Sequence, residues 1–350
     1  MDARILFMGN PSSQSGKAAG RINATLAAMR ARGWSVDFLE TQPAGKTVAL
    51  VRDRVRDGRY GVVVYLGGDG TFSEVSKGII ESGFAAKLGV LPAGTANDQG
   101  KSFGISSAPA ALADNLAIIE AGHTIGLDVG HVQRISPSGD VDAENLVFHS
   151  IGWGIQPDIL VQRNKDRRVV ERMPFLRMLY RDQAVYAGAT LNRYLASWRE
   201  PTKFDAIATV DGERLTLSAL SDIVVNATAV YGGAWVLDQR SRPNDGLFEF
   251  IPLHGRRDWA QQAWRNLTPV VIWEHQLNLL DRERWSSRQF RQLEIWLSRP
   301  QNSEIQSQLD GEEWVTGTHF RLAVDADVLR VITPKDFVPP WSPESVGGVR

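Results

Sequence analysis

The chain has 350 residues, a net charge of −1 and no cysteine. That length supports two domains with cores of their own, and the near-neutral charge without a polybasic tail leaves no footprint for nucleic acid. The absence of Cys excludes disulfides, thiolate catalysis and Cys-based zinc sites, and it fits a reducing cytoplasm.

The opening Met1 to Arg4 lacks the charged and apolar regions of a signal peptide, and no stretch approaches the ~18 apolar residues of a membrane span. A cytoplasmic protein that meets any lipid at a membrane surface is expected. Up to residue 121, apolar runs near 4–8, 34–39, 60–66 and 87–91 read as strands. They alternate with helical stretches over 17–32, 45–57, 71–82 and 108–121. Gly33, Gly58, Gly83 and Gly122 stand just beyond those helices as C-terminal caps. Such alternation predicts a doubly wound, mostly parallel α/β sheet.

Beyond residue 125 the chain reads as paired strands. They run Ile125–Ile135, Leu146–Ile151, Lys203–Val210, Arg214–Leu217, Ile223–Ala227, Leu247–Pro252, Phe290–Leu297, Glu304–Leu309 and Phe320–Ile332. These predict a mainly antiparallel β-sandwich or barrel, interrupted by helices near 169–198 and 256–279. The expected division is therefore a nucleotide-binding domain over 1–125 and a β-rich substrate domain over 126–332.

The strand over 60–66 runs into Gly67-Gly68-Asp69-Gly70-Thr71. Ligands of open α/β sheets sit at the carboxyl ends of strands, and glycines let the main chain approach them closely. Thr71 to Glu74 reads as a capping box that starts a helix and aims its free N–H groups at the turn. An anion cradle results, with Asp69 beside it. A carboxylate next to phosphate makes chemical sense with a divalent metal between them, or where a hydroxyl must lose a proton. The plainer alternative is a βα turn whose Asp merely caps a helix. Val90 to Asp98 repeats the design one unit later, and Asn10 to Lys17 does so after the first strand. Three polar Gly/Ser turns at successive strand ends favour a nucleotide site. Neither GxxxxGK[ST] nor GxGxxG occurs at these turns, and the protein-kinase motifs are absent.

GGDGT at 67–71 and LPAGTAND at 91–98 resemble the diacylglycerol kinase catalytic-domain family, which includes bacterial lipid kinases and sphingosine kinases. More distantly they resemble NAD kinases and phosphofructokinases. The resemblance continues in order through Asn10-Pro11 with Ser15-Gly16, then Asp128 to Val132. Asn226 with Gly232-Gly233, Asp245-Gly246-Leu247 and Leu309-Asp310-Gly311-Glu312 complete it. The chain departs from the family pattern in a lengthened opening turn, in Ala234 in place of a third glycine, and in His149 where asparagine is usual.

The resemblance implies an ATP- and Mg²⁺-dependent kinase for a lipid hydroxyl, on diacylglycerol or a sphingoid base, ceramide or phosphatidylglycerol. That would place it in phospholipid metabolism. It implies nucleotide contacts from Asn10, Pro11, Ser12, Ser15, Gly16, Thr41, Gly67, Gly68, Asp69, Gly70, Thr71, Ser73, Gly94, Thr95 and Asn97. It assigns Glu312 as general base with Asp310 beside it, Asp69 being the rival, and a structural Mg²⁺ on Asp245 with main-chain oxygens of Arg242 and Leu247. At the last site a plain type I turn is the alternative. A C-terminal return over 333–350 onto the first domain and a homodimer are also implied. A NAD kinase-like enzyme and a non-catalytic nucleotide- or lipid-binding protein are the other readings.

Most of the 11 tryptophans lie in the second half, including Trp153, Trp198, Trp235, Trp259, Trp264, Trp273, Trp285 and Trp296. Core packing explains such residues, and so would an acyl groove or a membrane interface. Residues 163–181 mix Arg and Lys with apolar side chains, as either a surface helix or an anionic-lipid contact would. The six His residues lack metal-ligand spacing.

Overall fold

A computed structural model describes residues 4–154, 157, 203–232, 235–255, 258, 287–299 and 304–337. The expected helix over 169–198 lies outside these residues, as do 256–279 apart from Asp258, the whole basic stretch 163–181, Gly233, Ala234 and the return beyond 337. In chain order the first elements are β1 (Ile5–Gly9), α1 (Lys17–Ala31), β2 (Val36–Glu40), α2 (Lys46–Val55), β3 (Val62–Gly67), α3 (Asp69–Ser82), β4 (Lys87–Pro92), α4 (Asp98–Ser102) and α5 (Leu112–Ala121). There follow β5 (Thr124–Ile135), β6 (Val141–Val147), β7 (Ser150–Gly154), β8 (Phe204–Val210), β9 (Glu213–Leu220), β10 (Asp222–Asn226), β11 (Val230–Tyr231) and β12 (Trp235–Val236). The last are β13 (Phe248–Leu253), β14 (Arg288–Phe290), β15 (Gln292–Ser298), β16 (Ile305–Leu309), β17 (Glu312–Gly317) and β18 (His319–Ile332).

The chain divides into two units, one of residues 1–130, 227–248 and 324–350, the other of 131–226 and 249–323. This differs from a cut at 125: residues 227–248 and the end of β18 stand with the first unit. Hydrogen bonds explain the difference. Val230 N–H donates to Ser102 Oγ of α4, and Asp128 accepts the N–H groups of Gly246 and Asp327.

In the first unit, β2, β1, β3 and β4 lie parallel in that order, with the end of β18 beside β4 at Val331 and Leu88. Parallel strands covered on both faces read as unbroken apolar runs, as 62–66 does, because both sides of the pleat are buried. Ile5, Phe7, Val62, Val64 and Leu66 meet Ile22 and Met29 of α1 and Leu116 and Ile119 of α5. Helix α2 packs against α3. Helix α3 begins at Asp69, two residues before the predicted start, and no side chain caps it. Gly68 is extended (φ −95°, ψ −170°) directly after β3, so helical conformation starts at once and Thr71 falls within the first turn.

In the second unit, one antiparallel sheet has the order β14-β13-β10-β7-β16-β17. Strand β15 pairs with β8 and with the start of β18, and β8 pairs with β9. The single strand expected over 146–151 is two, β6 and β7. The break at Phe148 and His149 arises because the Asp310 carboxylate takes their N–H groups out of the ladder. Strands β11, β12 and β17 and helix α4 had no counterpart among the predicted elements. Trp153 is buried and Trp296 partly exposed; Trp198, Trp259, Trp264, Trp273, Trp285 and the Trp235 side chain are outside the described set.

Candidate active site

The first unit gathers its Gly-rich turns at the carboxyl ends of β2, β1, β3 and β4. After β1, Asn10 Oδ1 accepts the Ser12 N–H (3.0 Å) and the Ser12 hydroxyl (2.7 Å), while Asn10 O accepts from Ser13. Asn10 therefore shapes the turn. Pro11 follows it, and the chain passes through a short 3-10 helix, Ser13–Gly16, into α1. Thr41, beyond β2, donates its N–H to Gly9 O at 3.0 Å and so sits at the same end.

The β3 and β4 turns touch. A Cβ at Gly94 would stand 2.5 Å from Gly68 Cα, and one at Gly67 would meet Thr71 Oγ1 at 2.6 Å. Only residues without side chains let these two backbones approach so closely. Asp69 Oδ1 accepts the Gln99 N–H at 3.1 Å, which ties the start of α3 to α4. Asn97 is buried, and its carboxamide clips Gly94 from both sides: Oδ1 accepts the Gly94 N–H (2.7 Å) and Nδ2 donates to Gly94 O (2.9 Å). Asn10 and Asn97 thus act on their own turns, leaving Ser12, Gly70 and Thr95 as exposed positions beside them, with Thr71 and Ser73 half-buried. Burial and the nearby Asp69 charge hold the Tyr65 hydroxyl well above its ordinary pKa, so it stays protonated.

Asp245 also belongs to the first unit. Its Oδ1 accepts the Leu247 N–H at 3.1 Å, and Arg242 Nη1 donates to the backbone oxygens of Gln239 and Ser241. The acid that sequence reasoning missed is Asp128. It is 1 % exposed, and its two oxygens accept the Gly246 and Asp327 N–H groups. Burial raises its pKa, and the Asp327 charge adds to that. Burial and the Asp128 charge raise Asp245 as well, although Asp245 faces solvent and water weakens the effect. The signal for Asp128 was a lone acid in the strand Ile125–Ile135. Two carboxylates pushed toward the neutral form suit a cation. Among the described residues no set of three or more His, Asp or Glu is close enough to hold one by side chains alone. Main-chain oxygens and waters would have to complete the shell.

In the second unit, Asp310 is 8 % exposed, and its carboxylate accepts the N–H groups of Phe148, His149 (2.8 Å) and Ser150 (3.1 Å). Through these bonds Asp310 positions the turn. Glu312, at the start of β17, is exposed.

Residues 4–132 match the model of the Diacylglycerol kinase catalytic domain. This segment is similar to that family. Diacylglycerol kinases of Staphylococcus aureus strains bovine RF122 / ET3-1 and MRSA252 are 33% identical to the chain over 132 residues, 38% of this chain and 40% of theirs. The match thus spans well under half the length of those relatives. Among solved structures, a diacylglycerol kinase from Bacillus anthracis str. Sterne aligns with a TM-score of 0.66 at 15% identity, over 96% of this chain and 98% of that one. Yeast NADH kinase complexed with NADH aligns at 0.54 and 8% identity, over 99% and 87%. These likenesses establish the fold class, an α/β domain followed by an antiparallel one, as expected from the sequence.

Proposed function

We propose that this chain is a lipid kinase that uses ATP and Mg²⁺ to phosphorylate a hydroxyl of diacylglycerol or a related lipid. The observation that carries the reading is the convergence of three Gly-rich turns at adjacent strand ends, with Gly68 and Gly94 in contact. Phosphoryl transfer needs positioning and charge neutralisation more than covalent help, and such a cradle supplies both. Backbone N–H groups of the turns at 10–16, 67–73 and 94–97 and the hydroxyls of Ser12, Thr41, Thr71 and Thr95 would hold the nucleotide. Asp69 would face the Mg²⁺ of the phosphates, which neutralises charge developing on them. Glu312 takes the acceptor proton, exposed on a turn that Asp310 anchors. A second, structural Mg²⁺ would sit on Asp245 with the Arg242 and Leu247 main-chain oxygens, where Asp128 adds negative charge.

No helix among the described residues is long and apolar enough to cross a membrane, so on this reading the lipid is met at a surface. The test is purified protein with labelled ATP, Mg²⁺ and a panel of diacylglycerol, sphingosine, ceramide and phosphatidylglycerol, with NAD alongside. Label appearing in NAD alone would replace the proposal with a NAD kinase, and label in none of them would leave a binding protein.

A further inference from the structure

Asp-Gly-Glu occurs at 211–213 and at 310–312, and the two copies form the same turn. Asp211 and Gly212 have φ of 46° and 87°; Asp310 and Gly311 have 49° and 83°. In each, the Asp N–H donates to the residue facing it on the neighbouring strand, Gln292 (2.9 Å) or Ser150 (2.7 Å). In each, the Asp carboxylate accepts N–H groups at the start of that strand: Arg291 and Gln292 in one case, His149 and Ser150 in the other. A buried phenylalanine precedes both, Phe290 and Phe148. One copy is therefore a control for the other.

They differ one layer further out. The Gly311 N–H donates to Gln308 Oε1 (2.8 Å), Gln308 Nε2 donates to Ser150 Oγ (3.3 Å), and Ser150 Oγ lies 3.3 Å from His149 Nδ1. All three side chains are buried, at 1 %, 1 % and 5 % exposure. At the other turn the matching positions are Thr209, Gln292 and Arg291, half-buried or exposed, and among the described residues no such chain reaches Gly212.

The direction of the chain follows from its first member. A backbone N–H can only donate, so the Gln308 oxygen faces Gly311 and its amide nitrogen faces Ser150. The serine hydroxyl then accepts from Gln308 and has its one hydrogen left for His149. Placed there, that hydrogen makes Nδ1 an acceptor. The charged group that the β16–β17 turn brings to this end is the Asp310 carboxylate, on the His149 backbone N–H; across β7, in register with Ser150, β10 brings the neutral Asn226.

We propose that His149, Ser150 and Gln308 form a positioning relay that holds the Gly311–Glu312 backbone in its working set, with His149 Nδ1 accepting from Ser150. This rests on Glu312 being the general base.

Imidazole ¹⁵N shifts, with the His149 signal identified by its loss in His149→Asn, should show bare Nδ1 at pH 7.5; a protonated Nδ1 overturns the relay. The Gly311 amide should exchange more slowly than that of Gly212, and equal rates count against it. In turnover, His149→Leu and Gln308→Leu should lower kcat about 10- to 10²-fold, the scale of small misplacements, with KM for ATP within about twofold. Asparagine at 149 offers Oδ1 where Nδ1 stood, so His149→Asn should recover most of the lost turnover. Thr209→Val, on the control turn, should be silent. His149→Asn as damaging as His149→Leu, or His149→Leu at wild-type rate, refutes the proposal. If wild-type protein phosphorylates no lipid, the kinase reading falls, and the shifts and exchange rates still decide the relay. Circular dichroism confirms that each variant is folded.

Discussion

Replacing Gly94 by alanine would put a methyl carbon 2.5 Å from Gly68 Cα, 3.3 Å from Gly68 N and 3.1 Å from Asn97 Oδ1. Carbon atoms rest at about 3.5–4.0 Å, so the shortfall is about 1 Å, and it falls on backbone that cannot rotate away. Overpacking of that kind costs about 1–3 kcal/mol. If the turn retreats instead, the buried Asn97 carboxamide loses its two bonds to Gly94, which costs about 1–3 kcal/mol for groups left unpaired. The expected loss is therefore about 2 kcal/mol or more, together with weaker ATP binding, since both turns belong to the proposed cradle. Gly70 supplies the contrast. It lies inside α3 with nothing within 4 Å of an added Cβ, and alanine in a helix is favoured over glycine by about 0.5–1 kcal/mol. Urea unfolding and calorimetric titration with MgATP on both variants decide the matter. Gly94→Ala with wild-type stability and affinity would refute the argument that contact between the turns builds the site.

Asp69→Asn keeps the Oδ1 that accepts the Gln99 N–H, so melting should be unchanged while lipid phosphorylation falls by at least about 10²-fold, the scale for losing a group that stabilises transferring charge. Glu312→Gln should lower turnover about 10²–10⁴-fold as general-base loss does, whereas Glu213→Gln, which loses a surface pair with Arg288, should stay within about 0.5 kcal/mol of wild type in stability and at wild-type turnover. For Asp128 and Asp245 the folded pKa lies above the unfolded one, so their charges weaken folding progressively as pH rises from the ordinary carboxylate range through the raised values. A cation bound there reverses that loss. Mg²⁺ should thus raise the melting temperature at pH 7.5 more than at pH 4.5, and Asp245→Asn should abolish the difference.

The alternating half of the fold was legible because each parallel strand is buried on both faces and each helix ends in a glycine. Gly33, Gly58, Gly83 and Gly122 do take φ between 68° and 74°. The cradle was legible for the same local reason: its glycines and polar residues sit within a few positions of strand ends. What stayed hidden depends on partners far along the chain. Helix α4 is five residues long, too short to carry a periodic signal, and Ser102 within it is held by Val230, 128 residues away. Asp128 joins residues near 245 and 327, so a lone acid in a strand gave no sign of whom it would meet.

The twin turns mark the limit most sharply. Local sequence gives Asp-Gly-Glu between apolar runs in both places, and local physics returns the same backbone in both, down to the left-handed Asp and the carboxylate bonded across to the next strand. The Asp-Gly-Glu tripeptide itself does not separate a surface hairpin from a candidate catalytic one. The separation comes from what lies behind the turn. Strand β7 is buried along its whole length, so polar side chains placed there must bond to one another, and Ser150 does so with Gln308 and His149. Strand β15 alternates between covered and open positions, so Arg291 and Gln292 turn to water. Gln308 stands beside the turn in sequence, but the burial of the supporting strand that holds its carboxamide against Ser150 is a property of the folded sheet.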